Sequence, residues 1–390
     1  MTVAVLFGGK SGEHEVSLVS ASSVVRRINR TKHSLVLIGI AKDGVWYVQD
    51  ESEAERVVRD TNAVLKIAQD SSRIVSLVPG GGTERALQIG QIATNKDGAK
   101  QAKNLAVDIV FPVLHGSYGE DGLVQGLLEM AELPYCGCSV PSSAIAMDKA
   151  QAKKIWAYEG LPVVPFACIK KSALEDETLQ KKLDDVEKCF GYPLFVKPCS
   201  AGSSVGAAKA GSRKELESAV HEAFLWDEKV LIEECIDARE IECSVTGDSL
   251  SCGSASCASG GVLRSYEPGE IAPTHGFYDY EAKYTDPNGA RLLIPAPITA
   301  EQRTEVQAMA ERAYAALDCG GLARVDFFID KKSGKLYLNE INTMPGFTPI
   351  SMFPKMCEQS GLPYDRLIEL LLEQGLDRFK KRRALKTSFT

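Results

Sequence analysis

Arg324-Val325-Asp326-Phe327-Phe328-Ile329-Asp330-Lys331-Lys332-Ser333-Gly334-Lys335-Leu336-Tyr337-Leu338-Asn339-Glu340-Ile341-Asn342 is the stretch on which the reading of this chain turns. Its middle, Asp330 to Gly334, has turn composition, so residues 321–342 are expected to fold as a long β-hairpin. Folded symmetrically about Ser333, the hairpin pairs Asp326 with Glu340 and Arg324 with Asn342, and the two-residue period of a strand puts all four on one face. Phe327, Phe328, Ile329 and Leu338 imply that this hairpin is largely buried, where unpaired charge is costly. Two carboxylates with an amide oxygen make a hard oxygen cluster suited to Mg²⁺, which usually keeps waters and shares its shell with phosphates. The bland alternative is a row of solvated strand charges, and a β-bulge would invert the parity on which the derivation rests.

Outward from the hairpin, the pattern gives a strand over residues 240–246, a helix over 300–317 and a terminal helix over 364–372. A strand over 192–197, a Gly/Ser loop at 202–206, a helix over 213–224 and a strand over 229–233 form a compact α+β piece. A helix over 147–158 stopped by Gly160 and Pro162, and a charged helical segment over 174–188, lead into it. The first 140 residues read as doubly wound α/β: strands over 3–7, 35–40 and 107–114, with helices over 15–28 and 121–133. Residues 50–105 lack sustained periodicity, include Pro79-Gly80-Gly81-Gly82, and are expected to be a variable insertion with surface strands.

Composition narrows the function classes. The 390 residues allow two or three domains, and 44% hydrophobic with 25% charged residues describes an ordinary globular protein. A formal net charge of -7 disfavours nucleic acid and anionic lipid as partners while permitting local basic pockets for small phosphorylated ligands. No stretch reaches the roughly 20 apolar residues of a membrane span, and the N-terminus lacks a signal peptide's pattern, so a cytoplasmic enzyme is expected. Eleven scattered cysteines fit reduced thiols, and the Cys136/Cys138 pair has no partner pair at zinc spacing.

Several motifs sit where strands end. Gly9-Lys10-Ser11 imitates the end of a P-loop, but Ala4 stands where a P-loop needs glycine, so Gly8-Gly9 reads instead as a turn toward a ligand at the strand's carboxyl end. Glu13 after that turn could hold an ammonium group or cap a helix. His115-Gly116 with Glu120-Asp121-Gly122 follows another strand, so both clusters can converge on one pocket. Lys197 ends a strand beside Gly202-Ser203-Ser204-Val205-Gly206, a loop able to fold N–H groups around phosphate oxygens. Glu233, Glu234, Glu240 and Glu242 fit ribose binding or plain solvation. Tyr280-Glu281-Ala282-Lys283-Tyr284 lies in a long loop-like region that reads as a lid or an aromatic-anchored surface loop.

Taken in order, these motifs resemble the D-alanine:D-alanine ligases of the ATP-grasp superfamily over nearly the whole length. The resemblance rests on Gly8-Gly9 with residues 13–17, Leu114-His115-Gly116 with residues 119–122, Met147-Asp148-Lys149, Lys197-Pro198 with residues 202–206, residues 280–284, Arg324-Val325-Asp326, and residues 339–348. It implies an ATP-grasp fold behind an N-terminal doubly wound, Rossmann-like domain, divided at residues 1–145, 146–237 and 238–390. It also implies phosphate contacts from Lys149, Lys197 and Lys283, and adenine framed by Phe277 and the Glu234, Cys235 and Ile236 backbone. Glu233 would bond the adenine amino group or a lysine, and Glu240 the ribose. Asp326, Glu340 and Asn342 would bind two Mg²⁺ ions, with Mn²⁺ as a possible substitute.

By the same resemblance Glu13, aided by His115, would hold the first D-alanine, with Ser203 and Tyr284 bonded to it and closing the lid. Glu120 would belong to the substrate site, Ser351 and Met352 would line the second carboxylate site, and Arg324 with the Gly346 N–H would stabilise the oxyanion. The implied activity joins two D-alanines at the expense of ATP through an acyl phosphate, in a homodimer serving peptidoglycan synthesis. Tyr284 matches ligases whose second substrate is an amine, which disfavours D-lactate and leaves D-serine as the alternative. Ala201 departs from relatives carrying glutamate or leucine there. A regulatory module without catalysis would be expected to lack some of Asp326, Glu340, Asn342, Lys197 and Lys283, and all five are present.

Overall fold

The run Val3-Ala4-Val5-Leu6-Phe7 has no polar side chain, and such a run is stable only inside a sheet covered on both faces. It forms β1 (Thr2–Gly8), flanked in parallel by β2 (Ser34–Ile40) and β7 (Ile109–Val113), with β3 (Trp46–Val48) antiparallel at the edge. The computed structural model describes residues 1–90, 102–175, 178–251, 263–273 and 290–388. The expected insertion contains a three-stranded sheet of β4 (Val75–Leu77), β5 (Leu87–Ile89) and β6 (Lys103–Asn104). It also holds a helix, Glu51–Arg59, that the periodicity did not reveal: Ala54 and Val57 are its buried residues, too few for a visible stripe.

A second, antiparallel sheet runs β10-β9-β11-β8, from β8 (Phe166–Lys170), β9 (Leu194–Pro198), β10 (Ala208–Ala210) and β11 (Lys229–Glu234). Helices Leu179–Phe190 and Arg213–Ala223 cover it through Leu183, Val186, Leu216 and Val220. A third sheet is ordered β15-β14-β12-β16-β17, from β12 (Ala238–Asp248), β13 (Leu263–Ser265), β14 (Gly269–Pro273), β15 (Ala290–Leu293), β16 (Gly320–Asp330) and β17 (Leu336–Asn342), with β13 pairing β12 off that path. Val306, Ala310 and Tyr314 of helix Ala300–Ala316 share its core with Trp156 of helix Lys149–Tyr158 and Leu161 of the loop that follows it.

Two further helices complete the architecture. Val140–Met147 starts with proline in its first turn, where the missing N–H has no intrahelical role, and it leads directly into Lys149–Tyr158. The terminal helix runs over Tyr364–Arg383, well past the expected residue 372, and ends on Lys380, Lys381, Arg382 and Arg383, whose charges suit a helix C-terminus. Its Leu367, Ile368, Leu371 and Leu372 are fully buried in one core with Val3, Val5, Phe7 and Ile109. The last helix thus packs against the first sheet, and His33 Nε2 lies 2.8 Å from Glu369 Oε1 across that junction.

The hairpin pairs as read, Arg324 with Asn342 and Asp326 with Glu340, but by a route that includes a bulge. Nearer the turn the register is Ile329 with Leu336 and Phe327 with Leu338, one residue short of symmetry, and Asn339 is the extra residue that restores it. The bulge reverses parity at that point. Leu336 and Leu338 face the core, and Glu340 and Asn342 beyond Asn339 turn to the opposite face.

Candidate functional site

The three sheets and the loops between them enclose a cavity of about 670 Å³. Its floor is built from the third sheet, where Glu240 and Glu242 of β12 stand opposite Phe328 and Asp326 of β16. Arg324 donates from Nε and Nη2 to the two oxygens of Asp326 at 2.7 and 2.6 Å, and Nε lies 3.2 Å from Glu242 Oε1. Burial opposes the guanidinium charge, but Asp326 and then Glu242 outweigh it and hold Arg324 well above its ordinary range. Asn342 Nδ2 donates to Asp326 Oδ2 at 2.9 Å, and Glu340 Oε2 lies 3.4 Å from Lys149 Nζ. Asp326, Glu340 and Asn342 therefore converge with a cation at either side.

The wall facing this floor is made of lysines. Lys149, at the start of its helix, donates from Nζ to the Ala201 carbonyl at 2.9 Å. Lys197, near the end of β9, places Nζ 2.7 Å from Glu233 Oε2 and donates to Asn339 Oδ1 at 3.1 Å. The other oxygen of Glu233 is 2.7 Å from Nζ of Lys153, a side chain with 0% exposure. Burial opposes ionisation of Glu233, but the two ammonium groups outweigh it and hold its carboxyl below the usual range. Burial also lowers Lys153, while Glu233 outweighs the same effect at Lys197 and raises it.

The N-terminal unit supplies the opposite rim. Gly8 and Gly9 both take positive φ, which frees the chain to turn from β1 into the helix His14–Arg27. Glu13 stands at the N-cap position of that helix without a side-chain capping bond, and Ser203 Oγ donates to Glu13 Oε1 at 2.5 Å, joining the rim to the Gly/Ser loop. The loop is close-fitted: a Cβ on Gly202 would stand 2.9 Å from Glu13 Oε2, and one on Gly116 only 2.7 Å. Ser203 and Ser204 are both in the left-handed region, an unusual pair for non-glycine residues, at the turn that faces the cavity. The P-loop lookalike is engaged differently, since Ser11 Oγ donates to the His115 carbonyl at 2.8 Å.

His115 is buried with both ring nitrogens used. Nδ1 lies 3.0 Å from the Met344 carbonyl and must be the donor, so Nε2 accepts from Ser20 Oγ at 2.9 Å. Ser20 Oγ in turn accepts from the Phe347 N–H at 3.3 Å. Burial lowers the pKa of His115, which keeps the ring neutral and this tautomer in place. Glu120 accepts from the Gly116 N–H at 2.8 Å, and burial, reinforced by Glu13, pushes its carboxyl up to about 8. Glu120 thus faces the cavity as a neutral carboxylic acid at neutral pH.

Glu13, His115, Glu120, Lys149, Lys197, Ser203, Glu240, Arg324, Asp326, Glu340, Asn342, Gly346, Ser351 and Met352 all line the cavity. Glu233 stands behind Lys197, while Glu234, Cys235 and Ile236 follow at the end of β11 and are not part of the lining. The N–H groups of Glu234 and Cys235 donate to the Pro165 and Pro193 carbonyls at 3.2 Å. Phe277, Lys283 and Tyr284 lie outside the described residues. Sequence reasoning did not find Ser20 or Lys153, whose roles depend on partners far along the chain, and it gave Glu242 no role in the cluster. Glu242 had one signal, its two-residue spacing from Glu240 on a strand expected beside the hairpin.

The family models for the N-terminus and the C-terminus of D-ala D-ala ligase match residues 2–138 and 155–373. The chain belongs to the D-alanine–D-alanine ligase family. A D-alanine–D-alanine ligase of Treponema denticola is 53% identical over 99% of both chains, and one of Caldicellulosiruptor bescii is 45% identical over 100% of this chain and 98% of its own. Among solved structures, the D-alanine–D-alanine ligase of Coxiella burnetii superposes with TM-score 0.78 at 32% identity, covering 98% of this chain and 96% of the other. A D-Ala:D-Ser ligase of Enterococcus faecalis gives TM-score 0.78 at 35% identity, covering 96% and 99%. The family is one of ATP-dependent ligases with the ATP-grasp fold, so the fold and enzyme class expected from the motifs hold.

A divalent cation fits the donor set of this ligase family member. Among the described residues no three His, Cys, Asp or Glu side chains gather at metal-binding range. The floor cluster is instead two carboxylates and an amide, leaving coordination positions for water and phosphate oxygens, as Mg²⁺ requires. No helix among the described residues is long and apolar enough to cross a membrane.

Proposed function

We propose that this enzyme joins two D-alanine molecules into D-alanyl-D-alanine for peptidoglycan precursor synthesis, consuming ATP and releasing ADP and phosphate. The observation that carries the reading is the union, in one cavity, of the Asp326/Glu340/Asn342 cluster, the Lys149/Lys197 wall and the Glu13–Ser203 bridge. The lysines would receive the triphosphate, with Lys283 and the Phe277 and 234–236 segments completing the nucleotide site and Glu240 on the ribose. Asp326, Glu340 and Asn342 would hold two Mg²⁺ ions, or Mn²⁺ in their place, which would offset the negative charge of the phosphate oxygens. Glu13 would bind the ammonium of the first D-alanine, whose carboxylate oxygen attacks the γ-phosphorus while ADP leaves, giving D-alanyl phosphate.

The amine of the second D-alanine, its carboxylate held near Ser351 and Met352, would then attack the acyl carbon and expel phosphate. Arg324 and the Gly346 N–H would receive the oxyanion. Asp326 already holds one edge of the guanidinium through Nε and Nη2, so Arg324 is preorganised for that task. Tyr284 would close the lid over the acyl phosphate, excluding water that competes with the amine. Support for D-alanine rather than D-serine in the second site comes from the curated relatives at 43–53% identity, all D-alanine–D-alanine ligases, against 35% for the D-Ala:D-Ser neighbour.

We further place the enzyme in the cytoplasm as a homodimer, with domains at residues 1–145, 146–237 and 238–390. Free thiols at nine described cysteines support the compartment, and the exposed Leu123, Leu127 and Met130 on one helix support self-association. The deciding experiment supplies ATP with equimolar D-alanine and D-serine and separates the products by mass. D-alanyl-D-alanine in excess, with ADP release dependent on D-alanine, is expected; D-alanyl-D-serine in excess would move the enzyme to the alternative, and ADP without any dipeptide would sink both.

A further inference from the structure

Lys153 lies in the interior of helix Lys149–Tyr158, on the buried face that it shares with Ala150, Ala152 and Trp156, a place from which a lysine ordinarily extends its charge to water. Instead it is fully buried, with Nζ 2.7 Å from Glu233 Oε1 and 3.5 Å from the Leu338 carbonyl. A lysine is buried this way only when a fixed carboxylate meets it. Glu233 is that carboxylate, and its second oxygen is 2.7 Å from Lys197, the member of the trio that lines the cavity.

Charge counting shows what the third member does. Lys197 and Glu233 alone form a neutral pair, and a lysine neutralised by its own carboxylate exerts little pull on a phosphate. With Lys153 on the far side of Glu233, two ammonium groups share one carboxylate, and the trio carries one net positive charge. Lys153 also sits beneath the bulge: the Leu338 carbonyl precedes Asn339, whose Oδ1 accepts from Lys197 and whose extra residue turns Glu340 into the site.

We propose that Lys153 is a positioning residue for nucleotide binding: by neutralising Glu233 from behind, it leaves the Lys197 charge available to the triphosphate. The inference rests on the reading of Lys197 as a phosphate ligand. Its test uses the affinity of the full-length enzyme for Mg²⁺ with a non-hydrolysable ATP analogue, by calorimetry, so that it does not depend on dipeptide synthesis. Lys153→Met should weaken binding about tenfold or more, the scale of one net charge acting across a wall of effective dielectric near 20. The double variant Lys153→Met with Glu233→Gln, which restores the net charge, should recover most of that loss.

A merely structural lysine would give the opposite pattern, with the double variant binding no better than Lys153→Met. That result, or wild-type affinity in Lys153→Met, overturns the proposal. If Lys153→Met does not fold while the double variant does, the affinity of the double variant decides: near wild-type binding upholds the proposal, and a tenfold or greater loss overturns it. If neither folds, Lys153 is a packing residue and the proposal fails. Should the wild-type enzyme bind the analogue but make no dipeptide, the functional reading fails while the Lys153 result stands by itself.

Discussion

Glu340→Gln separates chemistry from folding in this enzyme. Glu340 has 27% of its side chain exposed, and its ion pair with Lys149 is long at 3.4 Å. Such a pair contributes about 0–1 kcal/mol, so the variant's melting temperature should fall by no more than about 2–4 °C. Catalysis should suffer far more if the proposed phosphate and metal site is right, because the substitution removes one of its two carboxylates; loss of one preorganised group typically costs on the order of 10²–10³ in turnover. Asp326→Asn is the contrasting variant. It strips the half-buried Arg324 of a charged acceptor bonded at 2.7 and 2.6 Å while leaving Glu242 at 3.2 Å, and losing such a bond costs about 1–3 kcal/mol, so turnover and stability should fall together. The assay is ADP release with D-alanine, run beside thermal melts of both variants. Glu340→Gln turning over within tenfold of wild type, or losing activity only in step with unfolding, would refute the assignment of the floor cluster.

Other consequences follow from the same geometry. The Glu120 carboxyl is pushed up to about 8 from 4.5, so the stability that its neutral form contributes is fully present below pH 4.5 and is lost as pH rises to 8. Denaturant titrations from pH 5 to pH 8 should therefore show Glu120→Gln losing less stability than wild type, by up to about 1.4 kcal/mol per pH unit, and parallel profiles would contradict the burial argument. Ser20→Ala should release the Met344 to Phe347 turn from its shared clamp with His115 and lower kcat about 10- to 100-fold, with nucleotide affinity unchanged; a matching fall in affinity would show general damage instead. Leu371→Ala, in the core shared by the last helix and the first sheet, should cost about 2–5 kcal/mol in chemical denaturation, and a loss under 1 kcal/mol would mean that the helix is not integral to that core.

What was legible in advance was what local rules control. Val3 to Phe7 reads as a strand because nothing polar interrupts it, and Glu340 and Asn342 are found by spacing alone. The hairpin carries a qualification: the bulge at Asn339 is invisible in composition, and the symmetric register matched at the site because the bulge cancels a one-residue asymmetry of the turn. Helix Glu51–Arg59 was missed because its buried residues are few, and Val140–Met147 because Ser, Pro and small residues obscured its start. Lys153, Ser20 and Glu242 belong to a different class. Each acquires its role from a partner 80 or more residues away in the chain, so the identity of the residue said little until the fold supplied Glu233, His115 and Arg324.

Oxygen transfer examines the proposed carboxylate activation most directly. D-alanine labelled with ¹⁸O in its carboxyl group should deliver one labelled oxygen to inorganic phosphate for each dipeptide formed, because the oxygen that attacks the γ-phosphorus departs with it when the amine arrives. Dipeptide accompanied by unlabelled phosphate would contradict the account at its centre.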